Sequence, residues 1–353
     1  MKQCESQPVN VPPLWSCARP AQYGLVFCLL FLLVGCAPTE SQEDRLLLFD
    51  PDFSVDNKTL LLTYCPPRMD CTQALYDVVS GHLSVFQAPE REGWVYGKFS
   101  ADGKQILLVV TKKDDTAVSQ IAIVNRDGSG YRVLTSTKGY KGYPSFSPDG
   151  KRILFTKSGR ERSSGKTRFA DFDIYELDIA RKLETRLTEF EFFLISGPQY
   201  FPDGEHFIFG GEHPNHSAAY KEKFQENNIM IMSKLNRNLQ PAFTRGDHSD
   251  WPSISVDGSK ILFTSRSNDL DNSEGSNFNY DLFLKTPDGI TRLTKLESVI
   301  TYGTLSPSGS RIVFLSDKER GRKEDLIIMN SDGTDMKKID LPAPSRVIRV
   351  TGD

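Results

Sequence analysis

The sequence has no surplus of basic residues and none of the short motifs that mark common enzymes. Its 43 Lys and Arg residues face 46 Asp and Glu residues, and the net charge is −3. A surface that follows phosphates needs clustered positive charge, so we expect no nucleic-acid partner. A Gly-x-Ser-x-Gly elbow, an H-E-x-x-H zinc motif and a phosphate-binding loop are all missing. No stretch keeps a helical period, which argues against an α/β fold.

Long hydrophobic runs are also missing, apart from one near the start of the chain. The run Tyr23–Val34 is apolar and uncharged, with Lys2 and Arg19 upstream. About a dozen residues are too few for a comfortable membrane span, which takes about 20. The length is typical of a signal-peptide core. An uncleaved N-terminal anchor is the alternative.

The residues after this run, Leu33-Val34-Gly35-Cys36, resemble the lipobox of bacterial lipoproteins. By that resemblance residues 1–35 form a lipoprotein signal peptide, Cys36 carries lipid, and residues 36–44 form a polar tether. Because Ala37 is not Asp, the resemblance to Gram-negative lipoproteins suggests the outer membrane, facing the periplasm. The remaining residues, 45–353, are expected to form the folded domain.

Cysteine is scarce in that domain, where only Cys65 and Cys71 remain of the six in the chain. An exported protein can keep a disulfide, so we expect these two residues to form one. The pair has no further ligands beside it and is a poor metal site.

Turns, in contrast, are abundant, and one hairpin recurs six times. Its best copy, Tyr143–Thr156, has a short strand, a Pro-Asp-Gly turn and a second apolar strand. Successive copies are 46 to 54 residues apart, and they span residues 50–57, 96–103, 143–150, 197–204, 251–258 and 302–309. A second hairpin follows in most copies. Four strands in each repeat of this length predict an all-β fold, a β-propeller with six four-stranded antiparallel blades.

The repeats resemble the WD40-like PD40 repeats of TolB-type β-propellers. The shared features are the Phe-Ser-Pro-Asp-Gly hairpin, a later Asp-Ile-Tyr strand at Asp173–Tyr175 and a closing Leu187-Thr188. The match extends from about residue 45 to 340. TolB itself carries an N-terminal α/β domain that has no counterpart here, so its role in the Tol–Pal system does not transfer.

Closure of the ring should involve one of two terminal segments. Arg45–Phe49 is a plausible outer strand for the sixth blade, and Arg346–Val350 competes with it. Either would cover a strand edge that could otherwise pair with another chain.

The strand order divides the connections between two rims. We call the side with the Asp-Gly turns the short-turn rim, and the side with the longer connections the long-loop rim. Binding residues usually lie in long loops on a rigid scaffold, so we expect a site on the long-loop rim or at the adjoining channel mouth. The candidate binding residues there are Tyr140, Lys141, His213, His216, His248, Asp250 and Thr301.

Other recurring residues are expected to be structural. Asp149, Asp203 and Asp257 occupy the same turn position in different repeats, so we interpret them as turn residues rather than a catalytic set. The recurring aromatic residues Tyr96, Tyr143, Trp251 and Tyr302 are expected in the core, where blades pack.

The favoured function is a non-catalytic binding module that is lipid-anchored in the cell envelope. We expect a monomer without a cofactor, whose partner is an envelope protein or a glycan. The alternative is a propeller enzyme of the lyase or lactonase type with a divalent metal at the channel mouth. It would need at least three metal ligands from different blades.

Overall fold

The computed structural model describes residues 45–113, 115–161, 169–212, 228–243, 249–266, 279–318 and 324–352. The predicted all-β fold is confirmed: these ranges form six four-stranded antiparallel blades and one further strand. They contain no helix that could cross a membrane.

The first three blades follow one another along the chain. Blade 1 contains β1 (Leu47–Phe53), β2 (Thr59–Cys65), β3 (Thr72–Asp77) and β4 (Leu83–Gln87). Blade 2 contains β5 (Glu92–Phe99), β6 (Gln105–Lys112), β7 (Asp115–Asn125) and β8 (Arg132–Val133). Blade 3 contains β9 (Tyr140–Phe146), β10 (Arg152–Glu161), β11 (Phe169–Asp178) and β12 (Leu183–Arg186).

The last three blades repeat the arrangement. Blade 4 contains β13 (Leu194–Tyr200), β14 (His206–Glu212), β15 (Asn228–Ser233) and β16 (Leu239–Pro241). Blade 5 contains β17 (Asp250–Ile254), β18 (Ile261–Arg266), β19 (Tyr280–Thr286) and β20 (Gly289–Arg292). Blade 6 contains β21 (Val299–Leu305), β22 (Arg311–Asp317), β23 (Glu324–Asn330) and β24 (Lys337–Ile339). The first strand of each blade contacts those of both neighbours, and β21 contacts β1.

The Asp-Gly turns are held by their own side chains. The Ser147 hydroxyl donates to Asp149 Oδ1 at 2.6 Å, and the same oxygen accepts the Lys151 amide at 3.0 Å. Gly150 adopts φ +67°, in the left-handed region that glycine enters without strain. Asp203 and Asp257 accept amides in the same way. The interpretation of these aspartates as turn residues is confirmed.

The Asp-Ile-Tyr and Leu-Thr signatures of the repeat form one buried network. In blade 3 the Asp173 carboxylate accepts the Thr188 hydroxyl at 2.6 Å and pairs with the Arg186 guanidinium. In blade 5 Asp281 holds Thr294 and Arg292 in the same way. The network joins the third strand of the blade to the residues that follow the fourth strand. The hydroxyl and the guanidinium supply the partners that a buried carboxylate needs.

A disulfide joins Cys65, at the end of β2, to Cys71 and closes the connection to β3.

Neither terminal segment is an outer strand of blade 6, so that expectation was wrong. Residues 47–49 begin β1, the inner strand of blade 1. A fifth strand, β25 (Arg346–Arg349), pairs in parallel with β4, at the outer edge of blade 1. Blade 6 already has four strands, because the repeat is complete in the sequence before the tail begins.

The C-terminal tail also reaches blade 2. The Thr351 amide donates to Gly128 O at 2.9 Å, and the Tyr131 amide donates to Thr351 O at 3.0 Å. A Cβ atom at Gly128 would lie only 2.2 Å from Arg349 O, so a side chain there would prevent this contact. Ile348 is 4% exposed in the core that blades 1 and 2 share. The tail therefore fastens blade 6 to the two blades that follow it around the ring.

We expect Ile348→Ala to destabilise the protein by about 2–4 kcal/mol, since it removes a buried aliphatic side chain and leaves a cavity. Val347→Ala is the matched control, because the Val347 side chain in the same strand is 57% exposed. Its truncation should lower the free energy of unfolding by less than about 0.5 kcal/mol. Urea unfolding of both variants checks this. Equal losses would show that β25 is not held by the packing of Ile348.

Candidate functional site: the central channel

Each inner strand is interrupted at the same place by a bulge. The pairing with the second strand shifts there in all six blades. The first residue of the bulge has a left-handed backbone in every blade; these residues are Asp50, Tyr96, Tyr143, Gly197, Trp251 and Tyr302, with φ from +46° to +57°. Bulky residues rarely adopt this conformation. A bulge redirects the side chain, and here it turns the side chains toward the axis.

Four of these six residues form what we call the aromatic layer, Tyr96, Tyr143, Trp251 and Tyr302. Ring centroids are 4.4 Å apart for Tyr96 and Tyr143, and 4.5 Å apart for Trp251 and Tyr302. Tyr143 also meets Trp251 at 5.3 Å, across blade 4. Tyr96, Trp251 and Tyr302 are 3–7% exposed. Tyr143 is partly buried. Three of the four aromatic residues are therefore buried, as predicted, and the layer fills the channel at the axis as well as packing between blades.

The remaining two positions of this ring hold Asp50 in blade 1 and Gly197 in blade 4. In a six-bladed ring these blades lie opposite each other. Burial raises the pKa values of Tyr143 and Tyr302, and the nearby Asp50 carboxylate adds to both shifts. The phenols are therefore neutral at physiological pH.

Just beyond the bulge, a side chain in each of four inner strands forms a hydrogen bond with the next blade. The Phe99 amide donates to Asp52 Oδ2 at 2.8 Å, and the Leu305 amide donates to Ser253 Oγ at 3.0 Å. Gln199 accepts the Ile254 amide at 3.1 Å. The Ser145 hydroxyl donates to Pro198 O at 2.6 Å. We call Asp52, Ser145, Gln199 and Ser253 the polar belt; they satisfy backbone groups that an edge strand would otherwise leave open.

Lys98 occupies the equivalent position in blade 2 and behaves differently. Its ammonium turns back to blade 1, where it lies 3.2 Å from Asp50 Oδ1 and 3.9 Å from Asp52 Oδ1. Burial disfavours the charge of Lys98, but the two carboxylates outweigh burial and raise the pKa of Lys98. Burial raises the pKa values of Asp50 and Asp52, and the Lys98 ammonium offsets these shifts only in part. The trio carries more negative than positive charge.

These residues line a chamber between the aromatic layer and the short-turn rim. Its cavity volume is about 20 Å³. Its lining includes Asp50, Lys98, Tyr143, Gln199, Trp251 and Tyr302. Because inner strands run toward the Asp-Gly turns, residues after the bulge lie on the short-turn side.

Toward the long-loop rim, two carboxyl groups within or between blades have raised pKa values. Burial raises the pKa of Asp250 to about 6, although its carboxylate accepts the Ser196 hydroxyl and the Trp251 amide. Burial, with Asp317 beside it, raises the pKa of Glu324 to about 7, against the effect of Arg45. Carboxyl groups of this kind are common at functional sites.

The structure describes four of the predicted binding residues. Tyr140 lies at the seam of blades 2 and 3, with its hydroxyl 3.4 Å from that of Tyr96. Asp250 and Thr301 occupy equivalent positions just before the bulge, and Thr301 is 8% exposed. His213, His216 and His248 lie outside the described residues, as does Cys36.

Lys141 is the fourth predicted binding residue that the structure describes, and it is fully buried. It does not lie at the channel mouth, where it was predicted. Its ammonium donates to Thr137 O at 2.6 Å and Ser119 O at 3.1 Å, both from blade 2 or the connection that follows it. The position holds a core residue such as Leu48 or Ile300 in other blades. Burial lowers the pKa of Lys141 to about 8, and Glu184 opposes this shift. As placed, Lys141 links blades 2 and 3 and offers no group to a ligand in solvent.

Asp50 and Lys98 were not predicted as site residues. A signal was present in the aligned repeats, since Asp50 stands where four other copies have an aromatic residue. Lys98 likewise stands where other copies have Asp, Ser, Gln or Thr. The part of the chain that the structure describes contains no group of three His, Cys, Asp or Glu residues that could hold a metal.

Comparison with known proteins supports the fold. No protein-family model matches the chain. TolB from Acinetobacter baumannii superposes with a TM-score of 0.56 at 21% identity, over 92% of this chain and 70% of TolB. The fold is TolB-like. An oligogalacturonate lyase in complex with manganese superposes with a TM-score of 0.54 at 13% identity, over 83% of this chain and 77% of the lyase.

A relative in sequence is an uncharacterized protein, Atu1656, of Agrobacterium fabrum (strain C58). It is 29% identical over 176 residues, which cover 48% of this chain. The match spans 50% of the length of that relative. Because this relative is uncharacterized, the match gives no information on the activity of this chain.

The raised pKa of Asp250 predicts a pH dependence of stability. A carboxyl whose pKa is raised on folding stabilises the protein when protonated, so this contribution is lost as pH rises from about 4 to about 6. The loss should reach about 3 kcal/mol at most. Asp250→Asn should make this slope clearly shallower in urea unfolding measured at several pH values, and the part due to Asp50, Asp52 and Glu324 should remain.

Asp257→Asn is the matched control. Hydrogen bonds from the Ser255 hydroxyl and the Ser259 amide and hydroxyl lower the pKa of Asp257 to about 2. The contribution of Asp257 to the stability of the fold is therefore lost only as pH falls from about 4 toward 2. The slope between pH 4 and 6 should persist in this variant, and its disappearance would contradict the assignment to Asp250.

Proposed function

We propose that this chain is a non-catalytic binding module of the bacterial cell envelope, held at the membrane by lipid on Cys36. The observation that carries the proposal is the closed ring. The aromatic layer fills the channel and the C-terminal tail fastens the seam between the last and first blades. Such a ring is a rigid scaffold whose rims carry variable connections, and these are the usual place for recognition.

The long-loop rim is the surface we assign to the partner. Its described positions include Met69, between β2 and β3, and Glu189, between β12 and β13. The longer predicted connections, at 213–227 and 267–278, lie outside the described residues. We propose an envelope protein or a glycan as the partner.

The direction of β1 relates this rim to the proposed anchor. The strand begins at Leu47 on the long-loop side and runs toward the short-turn rim. Leu47 is eleven residue steps after Cys36, which limits their separation to about 40 Å. A lipid on Cys36 would therefore tether the start of β1 to the membrane through a short segment.

Cys36→Ser tests the anchor. The substituted chain should lose labelling by radioactive palmitate and leave the membrane fraction or stay unprocessed, since only a cysteine in the lipobox can be lipidated. Cys28→Ser, within the apolar run, is the control and should retain the label. Unchanged labelling of Cys36→Ser would contradict the lipobox assignment.

Photo-crosslinking in cells tests the rim. A photoreactive residue at Met69 or Glu189, exposed positions on the long-loop side, should capture a partner that mass spectrometry identifies. Val79 and Leu235 are matched positions on the short-turn side, 79% and 82% exposed. Adducts from those two positions alone would overturn the assignment of the rim.

A propeller enzyme is the second candidate, and the pKa values of Asp250 and Glu324 favour it. Two carboxyl groups that titrate near neutrality could exchange protons with a substrate at the channel mouth. A metal-dependent lyase would bind a stoichiometric, stabilising divalent ion. Elemental analysis, with thermal shifts against Ca²⁺, Zn²⁺ and Mn²⁺, separates the two candidates.

A further inference from the structure

The chamber on the short-turn side of the aromatic layer contains an acceptor that has no donor. The Asp50 side chain is buried, with 6% of the residue exposed. Its Oδ1 atom lies 3.2 Å from the Lys98 ammonium, whereas Oδ2 has no hydrogen-bond partner among the described residues. A buried carboxylate oxygen without a donor costs free energy. The site therefore favours a ligand that donates.

Charge in the chamber points to the same class of ligand. Asp50 and Asp52 contribute two carboxylates, and Lys98 contributes one ammonium. When all three are ionised, the net charge of the trio is −1, which one additional positive charge neutralises. An anion would meet uncompensated negative charge.

The walls of the chamber are suited to a cation of limited width. Tyr143, Trp251 and Tyr302 line it, and the faces of aromatic rings attract cations. Gly197, in the blade opposite Asp50, has no side chain to fill the space. The cavity of about 20 Å³ holds little more than one water-sized group, which leaves no room for a trimethylammonium group.

We propose that this chamber binds a single primary ammonium group, which donates to Asp50 Oδ2 and lies against the aromatic walls. The ligand enters from the short-turn rim, since the aromatic layer closes the other end. A calcium ion fits poorly, because it takes six to eight oxygen ligands and the Lys98 ammonium already lies between the two carboxylates. The ammonium group belongs either to a small free amine or to a lysine side chain of a polypeptide. The site is separate from the long-loop rim and does not depend on the partner proposed there.

Calorimetric titration of the full chain in detergent at pH 7 tests the proposal. Butylamine hydrochloride, which mimics a lysine side chain, should bind with saturation at one site. Sodium, potassium and tetramethylammonium chlorides at the same concentration should give no saturable heat. Acetyl-lysine amide tests the polypeptide source: binding comparable to that of butylamine identifies a lysine side chain as a ligand, and binding of butylamine alone identifies a small amine.

Two variants and one control assign the site. Asp50→Asn should weaken butylamine binding at least about tenfold, because a charge-assisted hydrogen bond is lost. Lys98→Met should strengthen binding, because it frees both carboxylates for the ligand. Asp102→Asn, an exposed turn carboxylate on the same rim, should leave binding unchanged. Near-ultraviolet circular dichroism verifies the fold of each variant.

The absence of saturable butylamine binding would overturn the proposal, as would equal binding by tetramethylammonium. Unchanged affinity in a folded Asp50→Asn protein, or weaker binding in a folded Lys98→Met protein, would place any amine site elsewhere. One-to-one calcium binding that displaces butylamine would identify the chamber as a metal site instead.

Discussion

The ring depends on how its inner strands satisfy their free edges. An inner strand pairs with its own blade on one side only, so its other edge presents backbone groups to the neighbouring blade and the channel. In this protein the belt residues Asp52, Gln199 and Ser253 accept amides from the next inner strand, and Ser145 donates to one of its carbonyl groups. Neighbouring blades are therefore joined by directional hydrogen bonds as well as by apolar packing.

The spacing of residues along the inner strands explains why aromatic side chains close the channel at the bulge and polar side chains follow on its short-turn side. The bulge places one residue of each blade in a left-handed conformation and turns it toward the axis, and four of these six residues are aromatic. In four blades the residue two positions later belongs to the belt. In blade 2 this residue is Lys98, which pairs with Asp50 in the preceding blade. Because the one ammonium of Lys98 faces the two carboxylates of Asp50 and Asp52, the chamber favours a ligand that carries positive charge.

The architecture could be predicted from the sequence because it rests on local chemistry that repeats. The turn of Ser147, Asp149 and Gly150 satisfies its own hydrogen bonds within a few residues, so each copy carries its own signature. The closure of the ring could not be predicted in the same way. The pairing of β25 with β4 joins residues more than 250 positions apart, and nothing near Arg346 specifies that partner.

Individual site residues were harder to place because their roles depend on neighbours in other blades. Lys141 was expected near the channel mouth, but its strand position faces blade 2, and two carbonyl groups there receive its ammonium. The roles of Asp50 and Lys98 become visible only when blades 1 and 2 are placed side by side. Alignment of the repeats identifies the unusual positions, whereas the charge balance between them requires the structure.

Amide hydrogen exchange of the inner strands tests the central claim most directly. The amides of Phe99, Ile254 and Leu305 donate to side chains of the preceding blade. If the belt joins the blades, these three amides should exchange as slowly as ladder amides in the second strands, although they lie on strand edges. Exchange as fast as that of the exposed turn residues would show that the belt hydrogen bonds do not hold the ring together.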